Sequence, residues 1–262
     1  MKAALTIAGS DSSAGAGIQA DLKTFAALGV YGTSAITAVT SQNTSGVSGV
    51  FAVPADLVRA QIESIVEDLS LAAIKTGMLG TADIVNVVAD ILGRLQTPNL
   101  VVDPVMMASS GTCRTLLAPE AVSLLKSRLL PLASVVTPNV AEATALSGIT
   151  VTSAATAREA AKRICETGAK AVVVKGGHLD GAQSIDLLFD GRAFTEFSAP
   201  RSAMGALHGT GCTFASAIAA GLALDDELAV AIDRAKRYVT GAIEHAIPIG
   251  RGARVLNHFW LY

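Results

Sequence analysis

The chain has 262 residues, enough to bury a sizeable core within one α/β domain. Its formal net charge of −2 and scattered basic residues give no surface of the kind that binds nucleic acid, and its apolar runs are interrupted before they reach membrane-spanning length. Three irregularly spaced cysteines predict neither a disulfide framework nor a zinc site, and the start lacks a signal-peptide pattern, so we expect a cytoplasmic protein without membrane or nucleic-acid partners.

Short apolar runs alternate with helical patterns along the whole chain, which predicts a mostly parallel sheet covered by helices on both faces. The predicted strands are 3–8, 34–40, 47–53, 73–76, 100–102, 133–136, 171–174, 185–189 and 193–197. The predicted helices are 16–28, 83–95, 119–129, 140–147 and 153–167. A further helix starts at position 54 and includes position 69, and two long helices close the chain, the first of which includes 214–222. Asp190-Gly191 predicts a hairpin, and therefore an antiparallel piece beside the parallel sheet. No linker or repeat interrupts the pattern, so we expect a single domain over 1–262.

The stretch His208-Gly209-Thr210-Gly211-Cys212-Thr213 stands directly before an Ala-rich apolar helix. Its two glycines permit a tight turn, and the backbone N–H groups and positive dipole end of the helix would then bind an anion. Cys212 would lie in the first turn, a position that lowers the pKa of a thiol. An anion site with a candidate base inside it predicts phosphoryl transfer.

A second glycine pattern, Gly15-Ala16-Gly17-Ile18-Gln19-Ala20, matches the dinucleotide-binding motif between a strand and a helix. That motif needs an acidic residue about 20 positions further on, to bind a ribose hydroxyl. No Asp or Glu lies between Asp21 and Asp56, so the dinucleotide interpretation fails. The sequence also lacks the G-x-x-x-x-G-K-[ST] pattern of P-loop enzymes.

Polar side chains follow the predicted strands. Because ligands of open α/β sheets bind outside the carboxyl ends of the strands, we expect these residues to converge on one cleft. They are Asp11, Gln42, Asp103, Asn139 and Lys175.

Each polar candidate has a functional and a plain interpretation. The Gln42 carboxamide suits the edge of a nitrogen heterocycle, or belongs to a polar turn. Asp103 could join Glu142 around Mg²⁺ through water, or the two could be a capping residue and a first-turn acid. Lys175 could reach a phosphate, or be a surface lysine. Asp21 could bind a substrate hydroxyl or amine, although periodicity favours a solvated helix acid.

The remaining candidates are histidines, cysteines and methionines. His178 and His208 are expected to be structural or rim residues, because no second ligand lies at metal-binding spacing. Cys113 and Cys165 are expected to be inert. Met78 is either a core residue or a pocket wall, and the pattern leaves both open.

Together, these motifs resemble the hydroxymethylpyrimidine/phosphomethylpyrimidine kinases of thiamine synthesis. The resemblance covers nearly the whole chain in order, while the glycine-cysteine stretch by itself is shared with pyridoxal kinases. The matching stretches are 4–11, 15–23, 42–44, 75–79, 103–106, 137–139 with Glu142, 175–178 and 209–213.

The resemblance implies a ribokinase-like, three-layer α/β/α sandwich with a central sheet of about eight mainly parallel strands. It also implies a homodimer and two successive transfers that use ATP and Mg²⁺, with a monovalent cation as a further candidate ligand. The first transfer would phosphorylate the hydroxymethyl group of 4-amino-5-hydroxymethyl-2-methylpyrimidine. The second would phosphorylate the resulting phosphate.

The resemblance further assigns roles to individual residues of this chain. Cys212 would stand where many ribokinase-like enzymes hold an aspartate base. The anion hole would be Gly209, Gly211 and Cys212; the substrate pocket Gln42, Asp21, Gly9, Ala16 and Met78; the ATP site Asn139, Lys175 and Thr210; and the metal site Asp103 and Glu142.

Three departures from the family pattern stand out. Ala206-Leu207 replace a common Asn-Thr, which leaves fewer polar groups near the nucleotide or a monovalent cation, and Ser109 replaces a frequent Lys. In the first loop Ser12 and Ala14 replace a frequent Pro and Gly, which predicts a change in loop stiffness only.

Other functions stay open beside the kinase. The alternatives are a pyridoxal or pyridoxine kinase of the same fold and a non-catalytic pyrimidine-binding protein. A thiol hydrolase is disfavoured because no His–acid partner for Cys212 is identifiable.

Overall fold

The computed structural model describes residues 1–95, 99–107, 116–176, 182–202, 204 and 207–262. The strands are β1 Ala3–Asp11, β2 Tyr31–Asn43, β3 Gly46–Ala52, β4 Leu71–Thr76, β5 Leu100–Val102, β6 Val135–Val136, β7 Val172–Val174, β8 Gln183–Phe189, β9 Phe194–Pro200, β10 Leu207–His208 and β11 Arg254–Val255. The α-helices are α1 Gly17–Ala27, α2 Ala55–Asp68, α3 Ala82–Arg94, α4 Pro119–Leu124, α5 Val140–Ser147, α6 Ala154–Cys165, α7 Thr210–Ala223 and α8 Leu228–Glu244.

Nine strands of this part of the chain form one sheet in the order β3-β2-β1-β4-β5-β6-β7-β8-β9. The neighbours from β2 to β7 are parallel. The predicted hairpin is confirmed, since β8 and β9 pair antiparallel around Asp190-Gly191. β7 and β8 are also antiparallel, and a third antiparallel pair, β2 with β3, forms the opposite edge of the sheet. β10 and β11 form a separate parallel pair beside the start of α7.

Side chains of each central strand alternate between two hydrophobic layers, which explains why the strands read as continuous apolar runs. Leu5 and Val102 pack with helices α2 to α6 on one face. Ala4 and Val101 pack with α1, α7 and α8 on the other face. Helices therefore cover both faces of the sheet, as the alternating pattern predicts.

Two elements differ from their predicted bounds in ways that matter. β2 runs three residues beyond its predicted end, so Gln42 lies within the strand rather than in a turn after it. The helix predicted over 119–129 is α-helical only to Leu124, then widens into a π turn over Leu125–Leu129 and a 3₁₀ turn over Leu130–Leu132. Pro131 has no N–H to donate, so a regular α-helix cannot continue through it, and Leu130 before it keeps helical dihedral angles.

The carboxyl ends of β1, β2, β4, β5, β6 and β7 meet at one edge of the sheet, and the first turn of α7 faces the same edge.

In the described ranges, no helix combines the length and apolarity needed to cross a membrane.

Candidate active site

A cavity of about 600 Å³ opens at this edge of the sheet. It receives all five polar residues that follow the predicted strands. Twelve of the thirteen predicted site residues line it: Gly9, Ala16, Gln42, Met78, Asp103, Asn139, Glu142, Lys175, Gly209, Thr210, Gly211 and Cys212. Asp21 is the exception.

The start of α7 presents backbone donors to the cavity. Gly209 precedes the helix with φ +87°, a left-handed conformation, and a Cβ there would collide with the carbonyl oxygen of Gly15. Only glycine fits this close approach without strain. Thr213 N–H donates the first intrahelical bond, 3.0 Å to the Gly209 oxygen. The N–H groups of the preceding residues 210–212 therefore have no carbonyl partner in their own helix and can bind an anion.

Cys212 lies in this first turn, partly exposed, but its electrostatics differ from the prediction. Burial raises the pKa of the thiol from 9.0 to about 11. Lys75 and a hydrogen bond from the Gly17 N–H oppose the rise, while Asp21 and Asp103 add to it. The expectation of a lowered pKa was wrong, because desolvation outweighs the helix N-terminus here. At neutral pH, Cys212 is a protonated thiol.

Beside Cys212, Asp21 and Lys75 form an ion pair with both side chains 0% exposed. Lys75 Nζ donates to the two carboxylate oxygens at 3.0 and 2.8 Å, and Thr6 Oγ1 and Ser216 Oγ each donate to Asp21 at 2.6 Å. Asp21 is therefore neither the solvated acid that periodicity favours nor a wall of the cavity. It lies behind Lys75, which does line the cavity and which sequence reasoning missed as a site residue.

Lys175 and Asp103 form a second pair that is open to the cavity. Lys175 Nζ donates to Asp103 Oδ1 at 2.8 Å, and Thr137 Oγ1 donates to the same oxygen at 3.1 Å. Burial acts to lower the pKa of Lys175, but Asp103 and Glu142 raise it overall, so the ammonium stays charged. A Cβ at Gly211 would lie 3.2 Å from Lys175 Nζ. The lysine thus sits against the start of α7, as a phosphate-binding cation would.

Asn139 and Glu142 form a capping box at the start of α5. The Asn139 N–H donates to Glu142 Oε2 at 2.8 Å, and the Glu142 N–H donates to Asn139 Oδ1 at 2.9 Å. Both residues also line the cavity, so the first-turn position expected for Glu142 is compatible with a ligand-facing position. Burial raises the pKa of Glu142 from 4.5 to about 7, with Lys175 opposing and the Asp103 carboxylate adding to the rise.

The chemistry of this corner fits a divalent cation. Asp103 and Glu142 are two carboxylates close enough to perturb each other, and Mg²⁺ is commonly held by one or two carboxylates together with substrate phosphates. Among the described residues, no group of three or more His, Cys, Asp or Glu side chains could hold a metal ion. A cation at Asp103 and Glu142 would therefore need phosphate oxygens as further ligands.

Gln42, His208 and Asp11 form the end of the cavity nearest β2. His208 Nε2 lies 2.8 Å from Asp11 Oδ2 and 3.1 Å from Gln42 Nε2. Gly9 and Met78 line the same end and touch, since a Cβ at Gly9 would lie 3.1 Å from the Met78 sulfur. Met78 is thus both buried and a pocket wall, and His208 is a buried structural histidine as expected.

Sequence reasoning also missed the opposite end of the cavity, where Lys236 and Asp186 pair. Lys236 Nζ donates to Asp186 Oδ2 at 2.8 Å and to Ser184 Oγ at 3.1 Å, and the Gly176 N–H donates to Asp186 Oδ1 at 3.0 Å. The available signal was an aspartate inside the otherwise apolar run Ile185–Phe189, just as Lys75 stands inside an apolar strand.

Some predictions fall on residues outside the described ranges, namely those on Ser109, Cys113, His178 and Ala206. Cys165 is described, and burial raises the pKa of its thiol to about 11, which agrees with an inert cysteine.

In the first loop, Ser12 hydrogen-bonds the backbone of Gln42. Ala14 has φ +60°, a conformation in which the family's glycine would be less strained. The expected difference in loop stiffness stays a prediction.

Comparisons of the sequence with a family model and with curated proteins agree on one family. The model of the phosphomethylpyrimidine kinase family matches residues 11–257. The chain belongs to this family. It is 48% identical to the hydroxymethylpyrimidine/phosphomethylpyrimidine kinase of Haemophilus influenzae, over 100% of this chain and 98% of that protein. It is 51% identical to the thiamine biosynthesis bifunctional protein ThiED of Geobacter sulfurreducens, over 97% of this chain but only 51% of that longer protein.

Among solved structures, the chain is similar to that of Bacillus subtilis pyridoxal kinase, which is described as an ADP complex. The TM-score is 0.91 at 40% identity, covering 100% of this chain and 98% of that one. The architecture is therefore ribokinase-like, as the resemblance implied.

Proposed function

We propose that this chain phosphorylates 4-amino-5-hydroxymethyl-2-methylpyrimidine from ATP, and then phosphorylates the monophosphate to the diphosphate. The observation that carries the proposal is that one cavity holds two kinds of group. Gln42 offers a carboxamide for a heterocycle, and the first turn of α7 with Lys175 offers an anion site in the same cavity. The similarity to kinases with this name supports the choice of substrate.

In the proposed reaction, the substrate oxygen attacks the γ-phosphorus and the bond to the β-phosphate oxygen breaks in line. The N–H groups of Thr210, Gly211 and Cys212 and the Lys175 ammonium stabilise the charge on the transferred phosphoryl group. Asn139 would contact the nucleotide. Such a reaction depends mainly on positioning and electrostatics.

The raised pKa of Cys212 favours a proton relay over a resting thiolate base. The thiol accepts the hydroxyl proton of the substrate while it passes its own proton to a phosphate oxygen, so no free thiolate is required. The second substrate is already an anion and needs no such help. Cys212 therefore serves the first transfer.

We propose that Asp103 and Glu142 hold Mg²⁺ when ATP is bound. The ion would supply positive charge to the phosphate oxygens. Lys175, which pairs with Asp103 in this structure, would be free to turn its ammonium towards the same phosphates.

A pyridoxal kinase is the second candidate, because Bacillus subtilis pyridoxal kinase has nearly the same fold. Gln42 favours the pyrimidine, since its carboxamide can pair with an amino group and an adjacent ring nitrogen at once.

The deciding experiment is a coupled assay of ADP release with the hydroxymethylpyrimidine and with pyridoxal, and separation of mono- and diphosphorylated products. We expect both pyrimidine products and a much lower kcat/KM with pyridoxal. A preference for pyridoxal would replace the proposal with the second candidate. ADP release with neither acceptor would leave a pyrimidine-binding protein.

We further propose that the chain acts as a single-domain homodimer in the cytoplasm. The continuous sheet of nine strands supports one domain, and use of ATP supports the compartment. Sedimentation equilibrium of the purified chain tests the dimer, and a monomer at micromolar concentration would refute it.

A further inference from the structure

The carboxamide of Gln42 lies between a histidine ring and a threonine hydroxyl. Its Nε2 end is 3.1 Å from His208 Nε2, and its Oε1 end is 3.0 Å from Thr40 Oγ1. The two ends of a carboxamide have nearly the same shape, so the protons around it decide which end is the oxygen.

The proton on His208 follows from Asp11. This carboxylate accepts hydrogen bonds from the backbone N–H groups of Ser13, Gly15 and Ala16 and from the Ser13 hydroxyl. An acceptor of so many donors is ionised, and His208 Nε2 at 2.8 Å must therefore donate an N–H to it. An amide NH₂ of Gln42 beside that N–H would set donor against donor.

Thr40 presents the matching conflict at the other end. Its hydroxyl has one hydrogen, yet the Ser10 carbonyl and Gln42 Oε1 both lie 3.0 Å from it as acceptors. Turning the carboxamide by 180° removes the conflict at Thr40 and replaces the donor–donor contact at His208 by one N–H that is shared between Asp11 Oδ2 and the Gln42 oxygen. The Gln42 nitrogen then donates to Thr40, and Thr40 donates to Ser10.

We propose that His208 and Thr40 are positioning residues that hold the Gln42 oxygen on the His208 side and its nitrogen on the Thr40 side. The pair thereby sets the order of acceptor and donor that faces the cavity. This inference rests on the proposed function. An aminopyrimidine matches that order, because its amino group donates to the oxygen and its adjacent ring nitrogen accepts from the NH₂. The ring nitrogen of pyridoxal has carbon substituents on both sides and offers no such adjacent pair.

The test replaces the histidine in two ways and measures kcat and KM with the hydroxymethylpyrimidine and with pyridoxal. His208→Leu removes the N–H, whereas His208→Gln can keep one near the same place. We expect His208→Leu to raise KM for the pyrimidine about tenfold, the worth of one lost hydrogen bond, with kcat little changed. His208→Gln should recover most of the loss, and KM for pyridoxal should stay constant.

A double-mutant cycle separates positioning from mere support of the fold. In a Gln42→Met background, His208→Leu should no longer raise KM for the pyrimidine. Ser12→Ala is the matched control, because Ser12 bonds only the Gln42 backbone among the contacts described. If His208→Leu fails to fold, Thr40→Val replaces it in the same double-mutant cycle. Thr40→Ser, which keeps the hydroxyl, is then the conservative variant.

Two results would overturn the inference: an equal rise of KM in both backgrounds, or a loss confined to kcat. A wild-type chain that releases no ADP with the pyrimidine would instead refute the proposed function. An active wild-type chain with unchanged KM in His208→Leu refutes only the positioning role.

Discussion

Two lysine–aspartate pairs flank Cys212, and they differ in what surrounds them. In the inner pair, Lys75 and Asp21 are both 0% exposed, and two hydroxyl groups complete the shell of the carboxylate. In the outer pair, Lys175 is 15% exposed and Asp103 2%, and both line the cavity.

The difference separates a structural support from a group that can exchange its partner. The inner carboxylate accepts four hydrogen bonds, two of them from Lys75, so Lys75 is held in one place at the floor of the cavity. The outer lysine can leave Asp103 when an anion enters, because it stands against the start of α7. We propose that the same kind of ion pair contributes stability at the inner position and ligand binding at the outer position.

The largest expected effect comes from breaking the inner pair. Lys75→Met leaves the Asp21 carboxylate buried without a counterion, and the free energy of unfolding should fall by about 3–5 kcal/mol. Chemical denaturation monitored by circular dichroism measures it. Lys75→Met with Asp21→Asn should recover much of the loss, because no buried charge is then left alone. A single variant as stable as the wild type would refute the structural role of the pair.

Breaking the outer pair should act on catalysis first. Lys175→Met should lower kcat by about 100-fold, as loss of one charge-stabilising group does, with a smaller loss of stability than Lys75→Met. Steady-state kinetics and denaturation on the same preparation measure both. A large loss of stability with unchanged kcat would mean that the two pairs have the same role.

A smaller effect should come from Glu142, a carboxyl group that lies beside the outer pair and not beside the inner pair. Its pKa of about 7 in the folded chain lies above its ordinary value, so from pH 4.5 to 7 the unfolded chain loses this proton first. The unfolded state then binds fewer protons, and the free energy of unfolding falls as pH rises through that window.

Glu142→Gln should remove that part of the pH dependence. Denaturation midpoints between pH 4.5 and 8 measure it, and Glu120→Gln, an exposed first-turn acid of α4, is the control. A wild-type decline that persists unchanged in Glu142→Gln would assign it to another group.

Most of the fold could be predicted because periodicity and turn residues are local signals. The hairpin at Asp190-Gly191 and the helix over Val140–Ser147 are confirmed. The pairing of β2 with β3 was missed, because Thr44-Ser45 is not one of the glycine turns that identify a two-residue hairpin.

The convergence of polar residues could also be predicted, since it follows from parallel strands that end at one edge. The ion pairing and protonation of the residues at this edge could not be predicted from the sequence. Asp21 reads as a solvated acid because its partner, Lys75, lies 54 positions away in sequence. The pKa of the Cys212 thiol depends on burial, and no local sequence pattern shows how much water reaches the start of a helix.

The most direct test of the account follows each transfer separately in wild type, Cys212→Ala and Cys212→Ser, starting once from the hydroxymethylpyrimidine and once from its monophosphate. Cys212→Ala should lose about 100-fold or more in the first transfer, the usual contribution of a positioned proton-transfer group, and little in the second. Cys212→Ser, whose hydroxyl can also relay a proton, should keep part of the first. Equal loss of both transfers in Cys212→Ala would contradict the proton role and leave the cysteine as part of the architecture of α7.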